Sequence, residues 1–129
     1  GTWTLDPAFT AWKPLDKLLA NVNDPSNAAW YGKLPAVMET GFSSWNSVLA
    51  SEHRQSAWVN QSLAALRSIV LASQQRPFPV RHLCYYQLVD VSTAGGSKLL
   101  QQEDHFGIVH SDFTPKDAFG ALRAQLALF

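Results

Sequence analysis

Glu39 is the residue of this chain best placed to do chemistry. It follows an apolar run, Leu34-Pro35-Ala36-Val37-Met38, and precedes Thr40-Gly41, so it closes what reads as a buried parallel strand and opens a loop. A carboxylate in that position can act as a nucleophile or carry a proton. Gly41 lets the backbone turn close to a ligand there. The plainer reading is a strand-end glutamate that pairs with a basic neighbour or faces solvent. Asp90 is the other carboxylate to weigh, because it lies at the end of a second apolar run, Val80 to Val91. Aromatic residues accompany both carboxylates: Trp45 in the Ser-rich stretch after Glu39, and Tyr85-Tyr86 in the second run. Neighbours on a strand alternate faces, so Tyr85 and Tyr86 cannot both face a common site, and either can equally be a core aromatic. Other chemistries lack their residues. His53, His82, His105 and His110 show no close metal spacing. Gly95-Gly96 follows a strand without a helix opening there, which leaves no phosphate loop, and no Gly-x-Ser-x-Gly elbow is present. No metal and no cofactor is expected.

The elements that must position these residues follow from periodicity and punctuation. Phe9, Trp12, Leu15, Leu18, Leu19 and Val22 recur at helical spacing, with Pro14 in the first turn and an end near Val22. Asn23 to Asn27 is loop chemistry. After the Glu39 strand and a loop from Phe42 to Ala50, the longest helix is predicted from Glu52 to about Ser73. Ser51 is its N-cap, and Trp58, Leu63, Leu66, Ile69 and Val70 form its apolar face. Pro77 and Pro79 stop it. Val80 to Val91 is a second strand, Ser92 to Gln102 a Gly-containing loop, and His105 to His110 a third short extended run. Thr114 as N-cap, Pro115 in the first turn and Asp117 completing a weak capping box open a last helix, which runs to about Leu128. Strands separated by helices of a dozen residues imply parallel pairing with right-handed crossovers. So small a parallel sheet has an open edge and an uncovered face, and therefore pairs with more chain or belongs to a larger barrel.

Bulk properties set the outer bounds. A chain of 129 residues, 47% hydrophobic with five Trp and seven Phe, has ample material for one packed unit and excludes disorder. Ten basic and ten acidic residues without a like-charge run leave no basic patch for nucleic acid or an anionic membrane. No stretch approaches the roughly 18 apolar residues of a membrane span. The single cysteine, Cys84, lies in an apolar run and reads as a small buried core residue.

Three segments, in order and at matching spacings, resemble consecutive parts of the retaining glycoside hydrolases with (β/α)₈ barrels. Pro35-Ala36-Val37-Met38-Glu39-Thr40-Gly41-Phe42 is similar to the end of the family's seventh strand, although Met38 stands where Thr is usual. Tyr85-Tyr86-Gln87-Leu88-Val89-Asp90 resembles the eighth strand. Glu103-Asp104-His105-Phe106-Gly107-Ile108-Val109, continued by Thr114-Pro115-Lys116-Asp117-Ala118-Phe119, resembles the closing signature, with Asp117 replacing the usual Pro. The match runs from about Phe9 to the C-terminus. No Asn-Glu pair occurs in the chain, so the family's acid/base motif is missing.

The resemblance implies an α/β fold: residues 1–129 as a single unit, the C-terminal portion of a TIM barrel covering about strands seven and eight with their helices. It implies part of a glycoside hydrolase that cleaves O-glycosidic bonds with retention. Such enzymes place two carboxyl groups about 5 Å apart at strand C-termini. Glu39 is then the nucleophile, and Tyr86 and Trp45 bind substrate. Asp90 and Glu103 fix the rim loops behind the site. The acid/base must come from outside this chain, which by itself is expected to be inactive. The partners implied are a carbohydrate substrate and the remainder of the barrel, from the same gene or a partner chain, with no nucleic acid and no membrane. A secreted or periplasmic location goes with the resemblance. The competing class is a non-catalytic carbohydrate-binding or interaction module of the same strand-helix pattern.

Overall fold

A computed structural model describes residues 12–45, 51–91 and 104–129. The elements run helix α1 (Lys13–Val22), strand β1 (Ala36–Thr40), helix α2 (Glu52–Ser73), strand β2 (His82–Tyr85) and helix α3 (Asp117–Leu126). The fold is therefore α/β. β1 and β2 form a two-stranded sheet. The Arg81 N–H donates to the Pro35 carbonyl at one end and the Tyr86 N–H to the Thr40 carbonyl at the other. Partners thus advance in the same direction along both strands, the mark of parallel pairing, with α2 as the crossover. Phe9, most of the loop from Phe42 to Ala50, and the loop from Ser92 to Gln102 lie outside the described residues.

Two compact units divide the described chain. The first takes its residues from Gly1–Met38 and Ala64–Cys84, the second from Glu39–Leu63 and Tyr85–Phe129. In the first, Leu15, Leu19 and Val22 of α1, Val37 of β1, Leu66 of α2 and Val80 are buried. Pro14 sits in the first turn of α1, where a missing N–H costs nothing. At the other end of α1, the Asn23 side chain donates to the carbonyls of Leu19 and Phe78 and accepts the Phe78 N–H. One amide thereby closes the helix and ties down the chain ahead of β2. In the second unit, Val59 and Leu63 of α2, Ile108, Val109, and Ala118, Ala121 and Leu122 of α3 are buried.

Helix α2 has the predicted bounds, and the Arg54 N–H donates to the Ser51 hydroxyl at 3.2 Å, an N-cap bond. Its buried stripe is not the predicted one. Leu63 and Leu66 are in it, but Gln55, Val59, Ser62 and Ser73 complete it, while Trp58, Ile69 and Val70 are only half-buried. Two of the polar members, Gln55 and Ser73, are buried where backbone needs them. Ser73 Oγ donates to the Val70 carbonyl and accepts the Val80 N–H, which no hydrophobic count would favour.

Five other expectations need correction. The strand expected over Val80–Val91 is confined to His82–Tyr85; beyond it, Val89 forms only an isolated parallel bridge with Val109. His105 to His110 is likewise no strand but a run of single bridging bonds, Val109 also meeting Pro115 in antiparallel fashion. Cys84 is exposed, not core, because alternation puts it on the face of β2 opposite the half-buried Leu83 and Tyr85. Met38, 67% exposed, and Glu39, also exposed, likewise show that β1 is not buried on both faces. Finally, Thr114 does not cap the last helix. Its N–H and hydroxyl donate to Asp112 Oδ1 at 2.9 and 2.6 Å, holding the Asp112 carboxyl below the usual range. The helix starts at Asp117, with Lys116 as an N-cap that makes no side-chain capping bond.

Truncating the buried stripe tests the packing. Leu66→Ala is expected to lower the unfolding free energy in urea by about 2–5 kcal/mol, whereas Leu71→Ala, on an exposed position of the same helix, changes it by under about 0.5 kcal/mol. Similar losses at the two positions would contradict the packing described.

Candidate active site

Parallel strands share a C-terminal end, and ligands of parallel α/β proteins bind there. In the second unit that end carries Glu39, the penultimate residue of β1, and Tyr86, the residue after β2. The bond from the Tyr86 N–H to the Thr40 carbonyl, 2.8 Å, brings the backbone beside Glu39 against that of Tyr86. Glu39 is exposed, and its carboxylate has no hydrogen bond or ion pair among the described residues. Tyr86 is 37% exposed, with its ring edge-on to Phe106 at 5.7 Å between centroids, and the Tyr86–Gln87 peptide is cis. Trp45 is half-buried in the segment after β1, its N–H donating to Ser43 Oγ. No hydrogen bond joins Glu39, Tyr86 and Trp45 to one another among the described residues. Tyr85 behaves differently from its neighbour. Its hydroxyl is buried without a partner, and burial pushes the phenol well above its ordinary range, so it stays a neutral phenol.

Gly41 is needed for a reason the residue pattern did not supply. A Cβ there would collide with the Tyr86 carbonyl and crowd the Phe106 ring. The glycine serves close approach of two backbones.

Behind this end lies a buried polar cluster. Lys116 Nζ donates to both oxygens of Asp90, at 2.7 and 2.6 Å, with side chains only 1% and 7% exposed. Lys116 also donates to Ser44 Oγ at 2.8 Å. Ser44 in turn gives its N–H and its hydroxyl to the His105 carbonyl. His105 Nδ1 lies 3.5 Å from Asp90 Oδ2, while His110 stands between Glu52 at 3.2 Å and Asp90 at 4.0 Å. The Asp90 carboxylate thus has both oxygens engaged by a cation. It ties the segment after β2 to Lys116. Glu103 lies outside the described residues. Among the described residues no group of three or more His, Cys, Asp or Glu could hold a metal ion, and no helix is long and apolar enough to cross a membrane.

Gln55 is a second tie. Its side chain is fully buried, and its Nε2 donates to the carbonyls of Phe42, Phe106 and Gly107 at 2.8, 3.2 and 3.0 Å. One amide therefore joins the segment after Glu39 to the segment before α3. Lys116, Ser44 and Gln55 were all missed from the sequence. One signal was available for Lys116: a carboxylate in an apolar run must find a cation or several donors if it is buried.

Removing one partner of a buried pair strands the other's charge. Lys116→Met and Asp90→Asn are each expected to lower the unfolding free energy by about 3–5 kcal/mol. Lys13→Met, on an exposed position, should change it by under about 0.5 kcal/mol. Denaturant titration of the three variants decides, and a loss at Lys116 no larger than at Lys13 would contradict a buried pair.

No protein-family model matches the chain, and no curated protein matches it.

Proposed function

We propose that this chain is the C-terminal part of a retaining glycoside hydrolase barrel and supplies its nucleophile, Glu39. The observation that carries the reading is the position of Glu39: an exposed carboxylate at the C-terminal end of a parallel strand, beside the backbone of Tyr86. Two further features support it. Asp90 is occupied by Lys116, so it does not compete for the catalytic role. Apolar side chains are uncovered in each unit, Leu34 and Met38 in the first and Leu88 in the second, as expected of a sheet that continues into more barrel.

In the complete protein, the Glu39 carboxylate attacks the anomeric carbon as the glycosidic C–O bond breaks. An acid/base carboxyl group from outside this chain protonates the departing oxygen. That same group then takes a proton from water, whose oxygen displaces Glu39 and restores it. The exposed ring of Tyr86 offers a face for the sugar. Lacking the second carboxyl group, the chain alone does not turn over.

The test uses the complete protein and an aryl glycoside. Glu39→Gln keeps size and hydrogen bonding but removes the attacking anion, so kcat should fall by several orders of magnitude, with a much smaller change in substrate affinity. A 2-fluoro glycoside should label a peptide containing Glu39 in the wild type and not in the variant. Asp90→Asn, assayed where the protein remains folded, should be far milder. Retained activity in Glu39→Gln together with loss in Asp90→Asn would reverse the roles, and normal turnover in both would leave a non-catalytic module.

A further inference from the structure

Zero net charge conceals a division. The first unit, Gly1–Met38 and Ala64–Cys84, holds six of the ten basic residues and three of the ten acidic ones, so the excess of acid falls in the second. No run of like charge marks this along the sequence, because the fold gathers the cations from separate segments. Lys33 lies in the turn ahead of β1, while Arg76 and Arg81 flank Phe78 ahead of β2. Two contacts join these segments. The Tyr31 ring meets that of Phe78 edge-on at 5.3 Å between centroids, and the Arg81 N–H donates to the Pro35 carbonyl. Lys33, Arg76 and Arg81 are all exposed, and none makes an ion pair among the described residues.

Aromatic rings share this surface. Trp30 and Tyr31 are each 45% exposed, in a turn where both N–H groups donate to the Asn27 carbonyl. Gly32, at φ 84°, supplies the left-handed residue that the turn needs. Lys33 Nζ stands over the Trp30 ring, 5.0 Å from its centre. Ring area and positive charge are therefore offered side by side.

We propose that this surface binds an acidic polysaccharide, one whose sugars carry carboxylates, through a site that uses neither Glu39 nor Tyr86. The C–H face of a pyranose packs against Trp30 or Tyr31, and its carboxylates pair with Lys33, Arg76 and Arg81. A neutral polysaccharide would use the rings alone, and a small anion the charges alone. The choice of a sugar polymer rests on the glycoside hydrolase reading; the demand for an anion does not.

Affinity electrophoresis of the complete protein tests it. The gels contain polygalacturonate, alginate or glucuronoxylan, and the polymer that retards the wild type most is compared with itself after reduction of its carboxylates to alcohols. The acid form should bind about tenfold more tightly, the size of three exposed ion pairs, and that margin should shrink as salt rises. Substituting Lys33→Gln, Arg76→Gln and Arg81→Gln together should remove the margin. Trp30→Ala should weaken binding about three- to tenfold, and Trp30→Phe should recover most of it. These positions are exposed, so every variant should keep the wild-type melting temperature. Equal binding of the acid and reduced polymers, no binding of either, or binding that survives the triple substitution would overturn the proposal. A single-stranded oligonucleotide that binds more tightly than any of the polymers, and is lost through the same variants, would give the surface to nucleic acid and overturn it too. Glu39 is judged separately. If Glu39→Gln keeps its turnover while the triple variant loses the acid polymer, the nucleophile assignment fails and this proposal holds. If Glu39→Gln loses turnover while the triple variant still binds, the proposal fails and the nucleophile stands.

Discussion

A lysine ammonium with 1% of its side chain in water needs an anion at contact distance, because an unpaired charge in a protein interior costs several kcal/mol or is driven neutral. Lys116 meets that need with both oxygens of Asp90, and much of the second unit depends on the pair. Asp90 belongs to the segment after β2, Lys116 to the entry of α3, and Ser44 to the segment after β1, so one ammonium joins three stretches distant in sequence. The surrounding backbone agrees with it. The Asp90 N–H donates to the Val109 carbonyl and the Lys116 N–H to the Ile108 carbonyl, which seats the two partners on either side of the same short run. Gly107 is required beside them, since a Cβ there would collide with the Asp90 amide and carboxylate.

Such a pair is weak evidence of net stability, since a well-packed apolar substitute can do as well. What it provides is a single register. Short bridges such as Val89 with Val109 are poor at fixing alignment on their own, because few bonds repeat along them. An ion pair with two short bonds and a third to Ser44 has one good geometry. Gln55 adds a second constraint of the same kind, placing one amide among three carbonyls. Because these groups are buried, slipping any of the joined segments leaves a charge or an amide without partners.

The elements were legible where local rules act alone. The proline in the first turn of α1, the Ser51 cap and the long run of α2 can each be read from a few adjacent residues, and the parallel pairing follows from the length of α2. Legibility failed where distant residues decide. Thr114 has the type of an N-cap, but Asp112, two residues earlier, takes its hydroxyl. Gln55 and Ser73 lie outside the apolar face that residue type marks on α2, yet they are buried because particular carbonyls and amides need them. Cys84 reads as core by residue type, but its burial depends on what covers its face of the sheet. Glu39 and Tyr86 could be placed at one end from strand direction alone. The partner of Asp90 could not, because nothing within 20 residues of Asp90 marks Lys116, which lies 26 residues away.

The division of labour among the carboxylates and their neighbours is what makes the reading of Glu39 economical. Around it, the described groups are engaged one by one: Thr40 and Phe42 through their carbonyls, Ser43 and Ser44 through their hydroxyls. Asp90 is saturated by Lys116. Glu39 alone among these stays exposed, with no hydrogen bond or ion pair among the described residues. A carboxylate that holds the fold would resemble Asp90, with each oxygen answered by a donor, and one that only faces solvent would be as open as Glu39. One kept for chemistry must leave its oxygens for the substrate while its backbone is immobilised by others, since an attacking group has to be held within a fraction of an ångström of its target. The bonds that hold Thr40, Phe42 and Ser44 meet the second requirement without using the Glu39 side chain.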